Sequence, residues 1–230
     1  MFHRPFAALR LWRARCLTYG LLALFAMGGL PLHAENPAAP VVIVVLGDSL
    51  TAGYGLPEGE GLVPQLQAWL SERGIAADLR NAGVSGDTTG AGLERLDWAL
   101  VPEAEALVVE LGANDLLRGR PPEEAEANLD AILAKARARG LPVLLIGMKA
   151  PPNWGAEYQE DFDALYPRLA QSYGTLFAPN YFEGLGGDPS QALPFMLEDG
   201  VHPNAEGIRK IAAVLGPYVQ ELANQAAAQR

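Results

Sequence analysis

An α/β domain, with a parallel sheet covered by helices on both faces, is what the apolar pattern of this chain calls for. Three observations carry that expectation. Val41–Leu46 is an unbroken aliphatic run, and Ala106–Leu111 and Val143–Met148 are nearly so, the composition of strands buried on both sides. These runs alternate with stretches of helical period, the order that crossover connections in parallel sheets require. Residues 35–230 contain no internal repeat or low-complexity block, so they read as a single domain.

The elements follow in order. Glu-Asn-Pro-Ala-Ala-Pro at 35–40 is a linker, and Val41–Leu46 is the first strand. Leu62, Leu66, Trp69 and Leu70 recur at helical spacing before Gly74, which gives a helix over Leu62–Leu70. Alternation over Ile75–Arg80 gives a short strand, Leu93–Leu100 a helix and Ala106–Leu111 a buried strand. Pro122–Arg139 is an amphipathic helix with proline in its first turn and Gly140 at its end. Val143–Met148 is a strand, Glu157–Tyr173 a helix and Thr175–Ala178 a brief strand. The last helix follows Pro203 and runs to about Leu222, and the Ala/Gln-rich end from Asn224 is expected to fray. Lys149–Ala156 and Asn180–Gly200 carry no helix or strand signal, and long irregular segments in a compact domain are often binding loops.

The first 34 residues differ from the rest. Arg4, Arg10, Arg13 and Arg15 occur there with no acidic residue, and an apolar run from Leu17 to Leu32 ends at His33-Ala34. A basic start, an apolar centre and a cut after Ala34 describe a cleavable signal peptide, which predicts a periplasmic or secreted protein. The run is short and interrupted by Gly20, Gly28, Gly29 and Pro31, so cleavage is favoured over a stable membrane span. Without this segment, 13 basic residues face 27 acidic ones, a formal charge of −14. Such a surface repels phosphate backbones and argues against nucleic-acid partners. Cys16, the only cysteine, leaves with the leader, and of three histidines only His202 remains. One imidazole and no thiol argue against a zinc or other transition-metal site.

In open parallel sheets, sites form outside the carboxyl ends of the strands. The first strand exits through Gly47-Asp48-Ser49-Leu50-Thr51, which presents a hydroxyl there. Gly, Asp and Ser are also ordinary turn residues, so Ser49 needs partners to stand out. It has them. A serine hydroxyl requires a base, usually an imidazole oriented by a carboxylate. His202 is the one imidazole left, and Asp199 precedes it by three residues, a spacing that lets the carboxylate reach Nδ1 in a turn. Two further strand exits offer donors for a developing oxyanion: Gly83 through its backbone N–H and Asn114 through its side-chain amide. Gly83-Val-Ser85-Gly86-Asp87 lacks the final glycine of a G-x-S-x-G elbow, so Ser85 is set aside. Asp48 and Asp115 read as hydrogen-bonding supports of the rim.

Gly47-Asp48-Ser49-Leu50, Gly83, Gly-Ala-Asn114-Asp115 and Asp199-Gly-Val-His202 resemble, in order, the four sequence blocks of the SGNH (GDSL) hydrolase superfamily. The longer strings around them are similar to periplasmic esterases of the thioesterase I, lysophospholipase and arylesterase type. The resemblance covers Val41 to Leu215, nearly all of the chain that follows the leader. It implies a three-layer α/β/α fold with a mostly parallel, flavodoxin-like sheet. It also implies Ser49 as nucleophile, His202 as general base and Asp199 as its orienting partner. The N–H groups of Ser49 and Gly83 and the amide of Asn114 would form the oxyanion hole. Its members need no metal or cofactor and hydrolyse acyl thioesters, lysophospholipids and aryl or alkyl esters. Two rival readings are a carbohydrate acetyl esterase on the same scaffold and a non-catalytic exported binding protein.

Met148, Pro151, Trp154, Tyr158 and Phe195 lie in or beside the two irregular stretches. They are the candidates for an apolar groove, in which each buried methylene of an acyl chain gains ~0.8 kcal/mol. The competing reading is that they anchor the loops to the core.

Overall fold

A computed structural model describes residues 39–186 and 189–230. The segment read as a leader, residues 1–34, lies outside the described residues. Five parallel strands form one sheet: β1 (Val41–Gly47), β2 (Ala77–Gly83), β3 (Ala106–Glu110), β4 (Val143–Ile146) and β5 (Leu176–Ala178). Their spatial order is β2-β1-β3-β4-β5. The chain moves outward from β1 to β2, then crosses back past β1 and continues in the opposite direction. Right-handed crossovers that travel in opposite directions put their helices on opposite faces.

The helices obey that rule. Two short ones stand at strand exits: α1 (Ser49–Ala52) after β1 and α4 (Ala113–Leu117) after β3. Helix α2 (Leu62–Ser71) packs against the last helix, α8 (Ala205–Ala227). Helices α3 (Thr89–Ala99), α5 (Pro122–Ala138) and α6 (Ala156–Tyr173) pack against one another in series. Between the two layers, Ile43 to Leu46, Leu107 to Val109 and Leu144 to Ile146 are fully buried. This is the three-layer α/β/α arrangement expected from the apolar runs. The strand order reverses between β1 and β3, the switch point where open α/β sheets leave a crevice.

Several boundaries differ from expectation. β2 starts at Ala77 rather than Ile75 and runs to Gly83, in register with β1 from Val41↔Ala77 to Gly47↔Gly83. The partner strand fixes those limits, whereas Arg80 and Asn81 on this edge are exposed and give no apolar signal. The C-terminal end does not fray at Asn224. α8 continues to Ala227 because Leu222, Ala223 and Ala226 extend its buried stripe. Beyond it, Arg230 pairs with Glu105 and donates to the carbonyls of Ala39 and Pro40, which closes the C-terminus onto the start of β1. The two irregular stretches contain short turns of 3₁₀ helix, at Pro152–Trp154, Tyr181–Leu185 and Leu193–Phe195, together with helix α7 (Pro189–Ala192). Segments of three to five residues are too short for a periodicity to register. No helix among the described residues is long and apolar enough to cross a membrane.

Candidate active site

Asp48 ends the exit turn of β1 by capping α1: its Oδ1 accepts the N–H of Leu50 at 3.0 Å. Ser49 is therefore the first residue of a helix, and its own N–H has no intrahelical acceptor. The other half of the site comes from the loop before α8. Met196 and Pro203 form an antiparallel bridge, and Leu197 N–H donates to the carbonyl of His202 at 2.7 Å. Inside this loop Asp199 Oδ1 accepts the N–H groups of Val201 (2.9 Å) and His202 (3.0 Å). Its other oxygen lies 2.7 Å from Nδ1 of the same imidazole.

Those donors stabilise the ionised carboxylate. The backbone N–H of His202, its ring and the N–H of Val201 hold Asp199 down at about 2. An ionised carboxylate can only accept, so Nδ1 carries the proton and Nε2 presents its lone pair. That lone pair faces Ser49 Oγ, 2.9 Å away. Two groups 153 residues apart in sequence thus meet at hydrogen-bonding distance.

Asn114 enters from α4, and its Nδ2 donates to Asp48 Oδ2 at 3.0 Å. The second proton of that amide is chemically available to another acceptor. Asp48 is completely buried, and burial pushes its carboxyl up to about 6. Glu110, the last residue of β3, lies beneath it. Burial raises its carboxyl well above the ordinary range, and Oε2 accepts the hydroxyl of Thr51 at 2.7 Å. Asp115 accepts both the N–H and the hydroxyl of Thr89 at 2.8 Å. Asp48 and Asp115 thus brace the rim, as their positions suggested.

Residues 45–210 match the model of the GDSL-like lipase/acylhydrolase family. The chain belongs to that family. It is an ester-bond hydrolase with small-molecule ester substrates. This acylhydrolase is 42 % identical over 167 residues to esterase TesA of Pseudomonas aeruginosa, which covers 72 % of this chain and 81 % of the relative. It is 35 % identical over 198 residues to thioesterase 1/protease 1/lysophospholipase L1 of Escherichia coli, covering 85 % and 91 %. Among solved structures, the SGNH-hydrolase family esterase AlinE4 superposes with a TM-score of 0.66 at 44 % identity, covering 79 % of this chain and 96 % of that one.

Gly83 of this acylhydrolase reaches the same rim, but its N–H donates to Asn81 Oδ1 at 2.9 Å. For it to serve an oxyanion, the Asn81 carbonyl has to yield or share. A different constraint explains the glycine itself: a Cβ there would sit 2.4 Å from the backbone nitrogen of Ala52 in α1. The residues expected to line an apolar groove divide. Met148 is a correction: at 2 % exposure it belongs to the core, because the chain after β4 still points that side chain inward. Trp154 donates its indole N–H to Leu116 O and Tyr158 its hydroxyl to Arg120 O, both at 2.9 Å, so each also anchors a loop. Pro151 is exposed, and Phe195 is half-buried with the Lys210 ammonium 4.5 Å above its ring.

Three contributors were not singled out from the sequence. Glu110 lies hidden in a strand that reads as apolar. Arg95 pairs with Asp87 and donates to the last carbonyl of β1, Gly47 O, at 3.0 Å. The ring of Tyr54 stands 4.5 Å from that of His202. Among the described residues, no three His, Cys, Asp or Glu side chains gather as a metal-ligand group.

Proposed function

We propose that this acylhydrolase cleaves its esters by two-step acyl transfer, with Ser49 as nucleophile, His202 as general base and Asp199 as the group that orients it. The observation that carries this reading is the 2.9 Å contact between Ser49 Oγ and His202 Nε2, backed by an ionised Asp199. In the first step, Oγ attacks the acyl carbon while Nε2 takes its proton. The C–O or C–S bond then breaks, the leaving group takes that proton from the imidazolium, and an acyl-serine remains. Water, deprotonated by the same nitrogen, attacks the acyl-serine and releases the acid with Ser49 restored.

The oxyanion of each tetrahedral intermediate would be held by the N–H of Ser49, the amide of Asn114 and, once Asn81 yields, the N–H of Gly83. The named relatives, an esterase and a thioesterase/lysophospholipase, support both oxygen and thiol esters with acyl tails as substrates. Pro151, Trp154, Tyr158 and Phe195 are the residues proposed to meet the tail. The basic-then-apolar pattern of residues 1–34 supports export to the periplasm or beyond.

The test is covalent. A fluorophosphonate probe should label the native enzyme at Ser49, and Ser49→Ala and His202→Ala should fold normally yet lose nearly all hydrolysis of short nitrophenyl esters. Normal turnover by either variant overturns the assignment.

A further inference from the structure

The nucleophile and its base sit on segments joined only through the whole length of the domain, so something local must hold them in register. The loop from Pro194 to Asn204 is braced mostly by itself. Leu197 N–H donates to His202 O, Asn204 N–H to Phe195 O, and the Asn204 side chain to the carbonyls of Pro194 and Met196. These bonds fix the shape of the loop but not its position relative to Ser49.

The Gly53-Tyr54-Gly55 turn supplies that missing link. The N–H groups of Gly53 and Tyr54 both donate to the carbonyl of Ser49 at 3.1 Å. Gly53 and Gly55 have φ of 83° and 74°, the left-handed region that favours glycine. Two such residues in three reverse the chain at the end of α1 and carry Tyr54 back over the site. Its ring then stands 4.5 Å from the His202 ring at an interplanar angle of 37°. Gly55 packs so closely on the same loop that a Cβ would fall 2.7 Å from Leu197 Cδ1. One short turn, bonded to the backbone of Ser49, thus touches the base's loop at two points.

We infer that Tyr54 is a positioning residue for the hydrolytic reaction: its ring face holds the His202 imidazole in line with Ser49 Oγ and stabilises the imidazolium formed when Nε2 takes the serine proton. This inference rests on His202 acting as the general base. The π face of an aromatic ring attracts a cation placed against it, and the attraction exists only after proton transfer. It therefore acts on the transition state rather than on substrate binding. The ring face is what matters, and the phenolic hydroxyl is not required. With 54 % of the residue exposed, truncation removes little of the core.

The experiment compares Tyr54→Ala and Tyr54→Phe with the native enzyme on a short nitrophenyl ester, alongside Ser49→Ala. The expected result is an about ten-fold fall in kcat for Tyr54→Ala with KM nearly unchanged, and recovery of most of that rate in Tyr54→Phe. In proton NMR the His202 Cε1–H signal should move downfield in Tyr54→Ala, where the shielding ring is gone, and stay near its native position in Tyr54→Phe. Native kcat in Tyr54→Ala, an equal loss in Tyr54→Phe, or a loss confined to KM would each overturn the inference. If Ser49→Ala keeps native turnover, it is the acyl-serine reading that fails, whatever Tyr54 does.

Discussion

The side-chain amide of Asn114 donates to the carboxyl of Asp48 at 3.0 Å, which ties the exit of β3 to the residue that caps α1, the helix Ser49 begins. One hydrogen bond therefore sets the proposed oxyanion donor and the start of α1 together. Asn114→Ala is expected to lower kcat about 10²–10³-fold with little change in KM, the usual cost of removing one such donor. Asp48→Asn should also lower kcat, because it turns an amide toward the Asn114 amide and breaks the tie. Steady-state kinetics on a short nitrophenyl ester check both.

Asp199 is held down at about 2. A depressed carboxylate contributes stability above its unfolded value near 4 and loses it as pH falls through about 2. It therefore stays ionised across the working range, so activity that disappears on acidification above pH 4 is not lost through Asp199. The pH profile of log kcat/KM should show no titration of Asp199 above pH 4. Asp199→Asn should cut kcat by roughly 10⁴, since the amide favours the wrong imidazole tautomer.

Beside Ser49, Asp48 and Glu110 are both raised by burial, Asp48 to about 6. For a carboxyl raised in this way, the sign is opposite to that of Asp199. The stability is fully present below the unfolded value near 4 and is lost as pH rises through about 6. Urea unfolding should show the enzyme losing stability between these limits, and Glu110→Gln should flatten that slope by removing the second acid. Glu110→Gln keeps an acceptor for Thr51 and should unfold within about 1 kcal/mol of native near neutrality. Glu110→Ala leaves a void and an unpaired hydroxyl and should cost about 2–4 kcal/mol.

Trp154 stands half exposed over Gly119 with its indole N–H fixed to Leu116 O. If its exposed face meets the acyl tail, Trp154→Ala should slow octanoyl and palmitoyl esters more than acetyl esters. Every methylene that the absent ring leaves in water lowers kcat/KM about four-fold. A chain-length profile of the variant and the native enzyme checks this, and equal slowing of all three esters would make Trp154 an anchor of the loop only.

The strands were legible because their pattern is local: six aliphatic residues from Val41 to Leu46 need no partner to be recognised. So was the pairing of Ser49 with Asp199 and His202, which the structure brings within hydrogen-bonding distance, since residues 35–230 contain one imidazole. α1 and α4 were not, because helices of four and five residues complete barely one turn. Met148 misled because a methionine beside a loop looks the same whether it points into a groove or into the core.

What residue order fixed is what depends on neighbours a few positions away: the alternation of strand and helix, the exit turns and the chemistry each turn could offer. What folding added depends on approaches between distant segments. The 2.9 Å separation of His202 and Ser49, the Tyr54 ring against the imidazole, the diversion of Gly83 N–H to Asn81 and the acidity of Asp48 all belong to that class. The reason is that distance, burial and desolvation are properties of packed surroundings, and those surroundings are assembled from residues that periodicity cannot bring together.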